Sequence, residues 1–282
     1  MANSNLMQAR RNKNDEFYTQ LKDIENELQH YRNHFKDKVV YCNADNPKCS
    51  QFWRYFYDNF HELGLKKLTA TYYGNNAEAF DYDGKDLKRK QLKGNGDFRS
   101  EESIALLEES DVVVSNPPFS LFREYIAHLE EHNKDFLIIG SMNAVTYKDV
   151  FPLLLNEEIY LGVNYGSFSF DTPVKDIKKG ANVAWYTNLQ EPHRPLLELT
   201  KEYNEELHPK YNDYDIINVD RVVDIPKDYD GVMGVPISFL TKHNPKQFEI
   251  LGIANTVRWV GYECLTAIGD RNTYQRLLIQ RK

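Results

Sequence analysis

Cysteine is scarce in this 282-residue chain, with Cys42, Cys49 and Cys264 as the full set. An odd trio with no C-x-x-C pair and no histidine at ligand spacing beside it argues against a disulfide framework and against a zinc site, so no metal centre is expected. Long apolar runs are missing too. Nothing approaches the ~20 apolar residues that span a bilayer, and the opening MANSNLMQARRNK has no apolar stretch of the kind that secretory signals carry. The expectation is a cytoplasmic protein without membrane association. Positive charge is also short, with 35 Lys+Arg against 42 Asp+Glu and a net charge of -7. Such a chain does not coat nucleic acid by charge alone, and any nucleic-acid partner has to be met by a local patch. What is not lacking is core material: 41% of residues are hydrophobic and 13% aromatic, which argues against a disordered chain.

After a polar N-terminal arm, Ile24, Leu28 and Tyr31 fall at helical spacing and predict a helix over Lys22 to His34. Alternating units follow. The apolar runs 39–42, 68–73, 111–115 and 136–139 predict strands, and Ser50 to Leu63, Ser100 to Glu108 and Ser120 to His132 predict helices, the last with Ser120 placed to cap it. Continuous apolar strands alternating with amphipathic helices imply an α/β fold with a mainly parallel sheet covered on both faces. Asn75 to Gly96 breaks the rhythm as a charged surface excursion carrying Lys85, Lys88, Arg89, Lys90 and Lys93. Beyond Asn156 shorter β-like pieces take over, which predicts a β-rich, antiparallel C-terminal part. The best candidate boundary lies near Gln190 to Pro195 and gives a core over 15–189 and a C-terminal region over 190–282.

The most informative residues are Asn116-Pro117-Pro118-Phe119, where the Val112-Val113-Val114 run ends and a helix is predicted to begin. In open α/β sheets, ligands lie outside the carboxyl ends of strands. Two prolines remove two N–H donors and leave backbone carbonyls as acceptors beside the Asn116 side-chain oxygen. Such an acceptor cluster suits an amino group with two hydrogens to donate, and Phe119 can stack on the ring that bears it. The plainer alternatives stay open at this point: Asn116 as a helix cap, and Phe119 as a core residue.

Asn116 to Phe119 resembles the catalytic motif of S-adenosylmethionine-dependent amino-methylating DNA methyltransferases, and the wider sequence resembles the EcoRI-type adenine-specific family. The blocks that carry the resemblance run from Asn14-Asp15-Glu16-Phe17-Tyr18-Thr19 through Tyr41 to Pro47, Ser50-Gln51-Phe52 and Gly96 to Ser100. They continue through Trp185 to Leu189, Val232 to Phe239 and Asn244 to Glu249. The resemblance implies a Rossmann-like methyltransferase core with S-adenosyl-L-methionine as cofactor and double-stranded DNA as substrate. It also implies transfer of a methyl group to N6 of a flipped-out adenine, and a separately encoded restriction endonuclease as a partner. It places Asp15, Phe17, Tyr18 and Thr19 beside the methionine part of the cofactor, Asn43, Asp45 and Ser50 in the cofactor loop after the first strand, and Asp97 and Phe98 along the cofactor's adenine.

Two departures stand out. The loop 43–50 has Asp45 and Pro47 but none of the glycines that usually let backbone approach a ligand, and Tyr72-Tyr73-Gly74 stands where an acidic residue normally holds the ribose. Methylation of an RNA adenine or a protein glutamine, and a non-catalytic nucleic-acid-binding relative, are the alternatives. Residues 242–282 carry seven Lys and Arg against three Asp and Glu. That local excess makes Arg258, Arg271 and Arg276 candidates for base contacts, with Lys88, Arg89 and Lys90 as a second, phosphate-contacting group.

Overall fold

A computed structural model of the chain describes residues 19–171, 178–190, 194–254 and 267–282. Two compact units emerge, one from the described residues of Met1–Asp149 and Ile159–Glu191, the other from those of Val150–Glu158 and Pro192–Lys282.

The first unit begins with the helix Leu21–Leu28, which buries Ile24 and Leu28. It stops short of His34 because His30, Asn33 and His34 are weak helix formers, and Arg32–His34 is a separate 3-10 turn. Strand β1 (Val39–Cys42) leads to the helices Gln51–Asp58 and Phe60–Leu63 and then to β2 (Lys67–Thr71). The charged excursion is a hairpin of β3 (Glu78–Tyr82) and β4 (Leu87–Gln91). The helix Glu101–Glu109, β5 (Val112–Ser115), the helix Phe122–Glu131 and β6 (Asp135–Ser141) complete the alternating part, before β7 (Tyr160–Asp171) and β8 (Lys178–Thr187).

These strands form one eight-stranded sheet in the order β4-β3-β2-β1-β5-β6-β8-β7. The central four are parallel, with Val40 opposite Leu68 and Val112, whereas the hairpin at one edge and β8 at the other run antiparallel to their neighbours. Every residue of β1 and β5 is buried, as strands covered on both faces must be. Val40, Cys42, Val112 and Val114 pack into a cluster with Leu28, Phe52, Phe56 and Trp185. On the opposite face Phe122 packs on Tyr186 with ring centroids 4.9 Å apart. The expected α/β, Rossmann-like fold is therefore the observed one. Because β1 sits between β2 and β5, the connections leaving β1 and β5 part to opposite sides at their carboxyl ends, and this opens the crevice in which such sheets bind ligands.

The second unit contains the helix Phe151–Leu155, β9 (Ile216–Asn218), β10 (Val232–Pro236), β11 (Phe248–Ala254), the small pair β12 (Ala267–Ile268) and β13 (Arg271–Asn272), and β14 (Arg276–Arg281). Its sheet runs β11-β14-β10-β9; β14 is antiparallel to both neighbours, but β9 and β10 are parallel, which the all-antiparallel expectation missed. At Gly234 a Cβ would lie 2.3 Å from the Tyr211 hydroxyl, so glycine lets that hydroxyl reach the Asn218 side chain at 2.8 Å. No helix among the described residues is long and apolar enough to cross a membrane.

Candidate active site

The loop after β1 is held by side chains rather than by glycine turns. Ser50 caps the helix Gln51–Asp58, its Oγ accepting from the Phe52 and Trp53 N–H groups at 3.1 and 3.3 Å while donating to Asp45 Oδ1 at 2.8 Å. The other Asp45 oxygen accepts from Ser115 Oγ, at the end of β5, at 2.9 Å, and the Asn116 N–H also bonds to this carboxylate. Asp45 thus ties the loop after β1, the start of a helix and the end of β5 together. It is 8% exposed, and burial pushes its pKa up to about 6 against the pull of those three hydrogen bonds. Both of its oxygens are engaged inside the fold.

Asn116 emerges beside this brace. Its Nδ2 donates to the hydroxyl of buried Thr19 at 3.2 Å, which sets the orientation of the amide. The capping role is not taken, because the residue preceding the helix Phe122–Glu131 is Leu121 and no side chain caps that end. Ser120, expected as the cap, lies inside a 3-10 turn over Phe119–Leu121. Pro117 is buried, and Pro118 starts the turn with its carbonyl accepting from the Leu121 N–H at 2.9 Å. Of the two carbonyls expected to be open, Pro118's is therefore engaged. Among the described residues no backbone N–H donates to Pro117's carbonyl. Phe119 is half-buried and meets Phe170 edge-on at 6.3 Å, so it serves the core with part of its ring.

A third group closes the site from the helix Phe122–Glu131. Tyr125 donates its hydroxyl to Asn43 Oδ1, and both residues are buried. The Tyr125 ring meets Phe98 edge-on at 5.1 Å, with His128 on the same ring at 5.5 Å. Phe98 is 7% exposed and covered further by the Arg99 guanidinium, 5.0 Å from its centroid. Arg99 grips Asp97 through Nε at 2.8 Å and Nη2 at 2.7 Å, which holds the Asp97 carboxyl below the usual range. The turn depends on Gly96, whose φ of +72° and 2.1 Å approach of a would-be Cβ to the Tyr72 carbonyl exclude any side chain.

The sequence reading missed Glu78. Antiparallel pairing sets Ala79 opposite Thr71, so Glu78 of β3 comes alongside the end of β2, where the chain itself offers only Tyr72-Tyr73-Gly74. Its carboxylate accepts from the Tyr72 hydroxyl at 3.4 Å and pairs with Lys48 of the loop after β1 at 3.3 Å. The reading also passed over His128, Glu131 and His132, whose ligand atoms lie within 4.8 Å of one another. The H-x-x-E-H spacing on a predicted helix was a visible signal.

The remaining candidates scatter. Asp15, Phe17, Tyr18 and Arg258 lie outside the described residues. Lys88, Arg89 and Lys90 are exposed on the edge strand β4, with Arg89 over the Phe80 ring at 5.2 Å. Arg271 is exposed on β13. Arg276 is a correction: it is only 7% exposed, with Nε on Asn218 at 3.2 Å and Nη2 on Asp220 at 3.1 Å, because β14 is buried on both faces at that point.

The sequence matches the family described as Adenine-specific methyltransferase EcoRI over residues 5–282. It is 45% identical to the Type II methyltransferase M.EcoRI of Escherichia coli, over 99% of this chain and 97% of that protein. It is 42% identical to the Type II methyltransferase M.MpnI of Mycoplasma pneumoniae, over 86% of this chain and 83% of the relative. Among solved structures, that of a candidate RNA methyltransferase from Pyrococcus horikoshii covers 57% of this chain and 78% of its own at 12% identity and a TM-score of 0.30, too slight a likeness to bear on the fold. The match runs through the Asn116 motif and on into the second unit, and the chain belongs to the EcoRI family of adenine-specific methyltransferases.

Proposed function

We propose that this protein methylates N6 of adenine within a defined sequence of double-stranded DNA, with S-adenosylmethionine as the methyl donor. The observation that carries the reading is Asn116-Pro117 at the carboxyl end of β5, tied through Asp45 to the loop after β1 at the switch point of the sheet. The Asn116 side-chain oxygen and the Pro117 carbonyl accept the two amine hydrogens of the adenine. Holding both hydrogens turns the nitrogen's electron density toward the methyl donor, and Thr19 keeps the Asn116 amide facing the right way. Neither acceptor retains a proton at neutral pH, so the proton displaced on methylation passes to water. Phe119 offers its remaining ring surface to the base, and the target must leave the helix because a paired amine does not reach a crevice of this kind.

The cofactor supplies an electrophilic methyl group on a sulfonium. The residues present fit it: Glu78, alongside the end of β2, offers the carboxylate that a ribose diol requires, and Phe98 and Asp97 form a turn fixed by Gly96. Asn43, Asp45 and Ser50 hold the loop in place of the missing glycines, and Thr19 lies at the site through its bond to Asn116. Arg271 of the second unit and Lys88 and Lys90 of β4 are the DNA-contacting candidates among the described residues, and Arg258 is the candidate outside them. A separately encoded endonuclease is the partner this reading implies. The family's adenine specificity and its relatives' Type II names favour DNA adenine over RNA adenine or a protein glutamine.

The test is to sequence DNA from cells expressing the protein with a method that detects N6-methyladenine. One modified motif, lost with Asn116→Ala, is expected; unmodified DNA in the presence of folded wild-type protein overturns the reading.

A further inference from the structure

We propose that His128, Glu131 and His132 bind a first-row transition-metal ion such as Zn2+ at the carboxyl end of the helix Phe122–Glu131. The two histidines are one helical turn apart, with ring centroids 4.5 Å from each other, and the exposed Glu131 precedes His132. Both imidazoles are oriented from behind. The His128 ring packs on the Phe98 ring with centroids 5.5 Å apart, and the Glu108 carboxylate holds His132 Nδ1 at 2.5 Å. For His132 this is the arrangement found behind metal-ligating histidines, where the nitrogen away from the metal donates to a carboxylate and the other nitrogen is left as a ligand.

His128 supplies the independent observation. The residue is 9% exposed, yet its Nε2 is buried with no hydrogen-bond partner among the described residues, an arrangement that costs free energy unless something occupies that lone pair. The last carbonyls of a helix favour a cation there, and the nearest lysine, Lys134, is turned onto the Glu108 and Ser110 carbonyls at 3.1 Å each. Tetrahedral zinc needs ligand atoms about 3.3 Å apart, so the trio must close in by rotation of the exposed Glu131 and of His132. Two imidazoles and a carboxylate leave a fourth position for water, and the donor set selects zinc, nickel or copper over magnesium or calcium. A bound ion ties the end of this helix to the Asp97–Arg99 turn through His128.

The experiment is calorimetric titration of the untagged full-length protein with Zn2+, for the wild type and for His132→Gln, His128→Gln, Glu131→Gln and Cys49→Ser. One ion per chain is expected, with affinity at least tenfold weaker in either histidine variant, severalfold weaker in Glu131→Gln and unchanged in Cys49→Ser. Because His128 is buried and its variant can unfold, the decisive substitution is His132→Gln at the surface, checked for fold by circular dichroism. Wild-type protein that binds no Zn2+ below millimolar concentration overturns the proposal. So does His132→Gln protein that is folded and binds as the wild type does, or loss of binding in Cys49→Ser.

Discussion

The two units use buried polar groups to opposite ends. At the carboxyl edge of the first unit's sheet, buried Ser50 and Ser115 both bond to buried Asp45, and buried Thr19 takes a hydrogen bond from the Asn116 amide, so that Asn116 is held in a set orientation at the crevice. In the second unit one buried polar group is Arg276, whose bonds to Asn218 and Asp220 fasten β14 to the end of β9 and the residues just after it. A buried carboxylate positions chemistry in one, and a buried guanidinium holds a sheet together in the other. Charge counted along the sequence does not separate these roles, because each depends on what the side chain meets in space.

The largest expected effect tests the first half of that contrast. Asn116→Ala removes an acceptor aimed at the target amine, and loss of one preorganised contact of this type costs ~2.7–4 kcal/mol in the chemical step. Single-turnover methylation should fall by about a hundredfold or more while cofactor affinity measured by calorimetry stays near wild type. A variant that keeps a tenth of the wild-type rate would reduce Asn116 to a structural residue.

The second half predicts the reverse pattern. Arg276→Ala strips a buried side chain from Asn218 and leaves exposed Asp220 to water, which should lower stability to urea by about 2–3 kcal/mol. Its effect on DNA affinity should be no more than that loss of folded protein explains. Arg271→Ala, on an exposed residue, should leave stability within ~0.5 kcal/mol. If Arg276→Ala is as stable as wild type and relaxes sequence preference, the contrast between the units collapses.

Asp45 sharpens the comparison through pH. Its folded pKa of about 6 lies above the ordinary 3.8, so the folded state holds the proton more tightly than the unfolded one. The stability contributed by that proton is fully present below about pH 4 and is lost as pH rises through about 6. Asp45→Asn, which cannot titrate, should lack this component. The stability difference, wild type minus variant, should therefore fall by up to about 3 kcal/mol between pH 4 and 7 and be flat beyond either end. Urea midpoints measured across that range give the answer; a flat difference would mean that Asp45 titrates as an ordinary surface carboxyl does.

How legible this was varies with the range of the interaction. The Val39–Cys42 and Val112–Ser115 strands announce themselves as short apolar runs, and the Asn116 motif is contiguous, so the parallel core and its central residues could be read from local pattern alone. Asp45's contact with Ser115 spans 70 residues and depends on β1 and β5 being neighbours, which no local spacing reveals. Glu78 was invisible for a related reason: only the register of the β2–β3 hairpin brings it to the end of β2. Arg276 was misjudged because a count of charges treats every arginine as solvated, whereas the run Arg276 to Ile279 is buried on both faces.

The smallest expected effects fall on β4, the exposed edge strand of the first unit. A bare strand edge invites pairing with other chains, and lysines along it are a common defence, so Lys88 and Lys90 have a structural reason to exist without DNA. Arg89 differs from them because its guanidinium lies 5.2 Å from the Phe80 ring and contributes about 0.5–1 kcal/mol to the hairpin. The three can be separated on a salt series. Lys88→Ala and Lys90→Ala should each flatten the dependence of DNA affinity on salt by about one unit, uniformly across sequences, if they meet phosphates. Arg89→Ala should lower stability slightly and do no more to the slope than one lost phosphate contact allows. Unchanged slopes in both lysine variants would assign β4 to edge protection, and the phosphate-contacting surface would then have to be sought among the other basic residues of the chain.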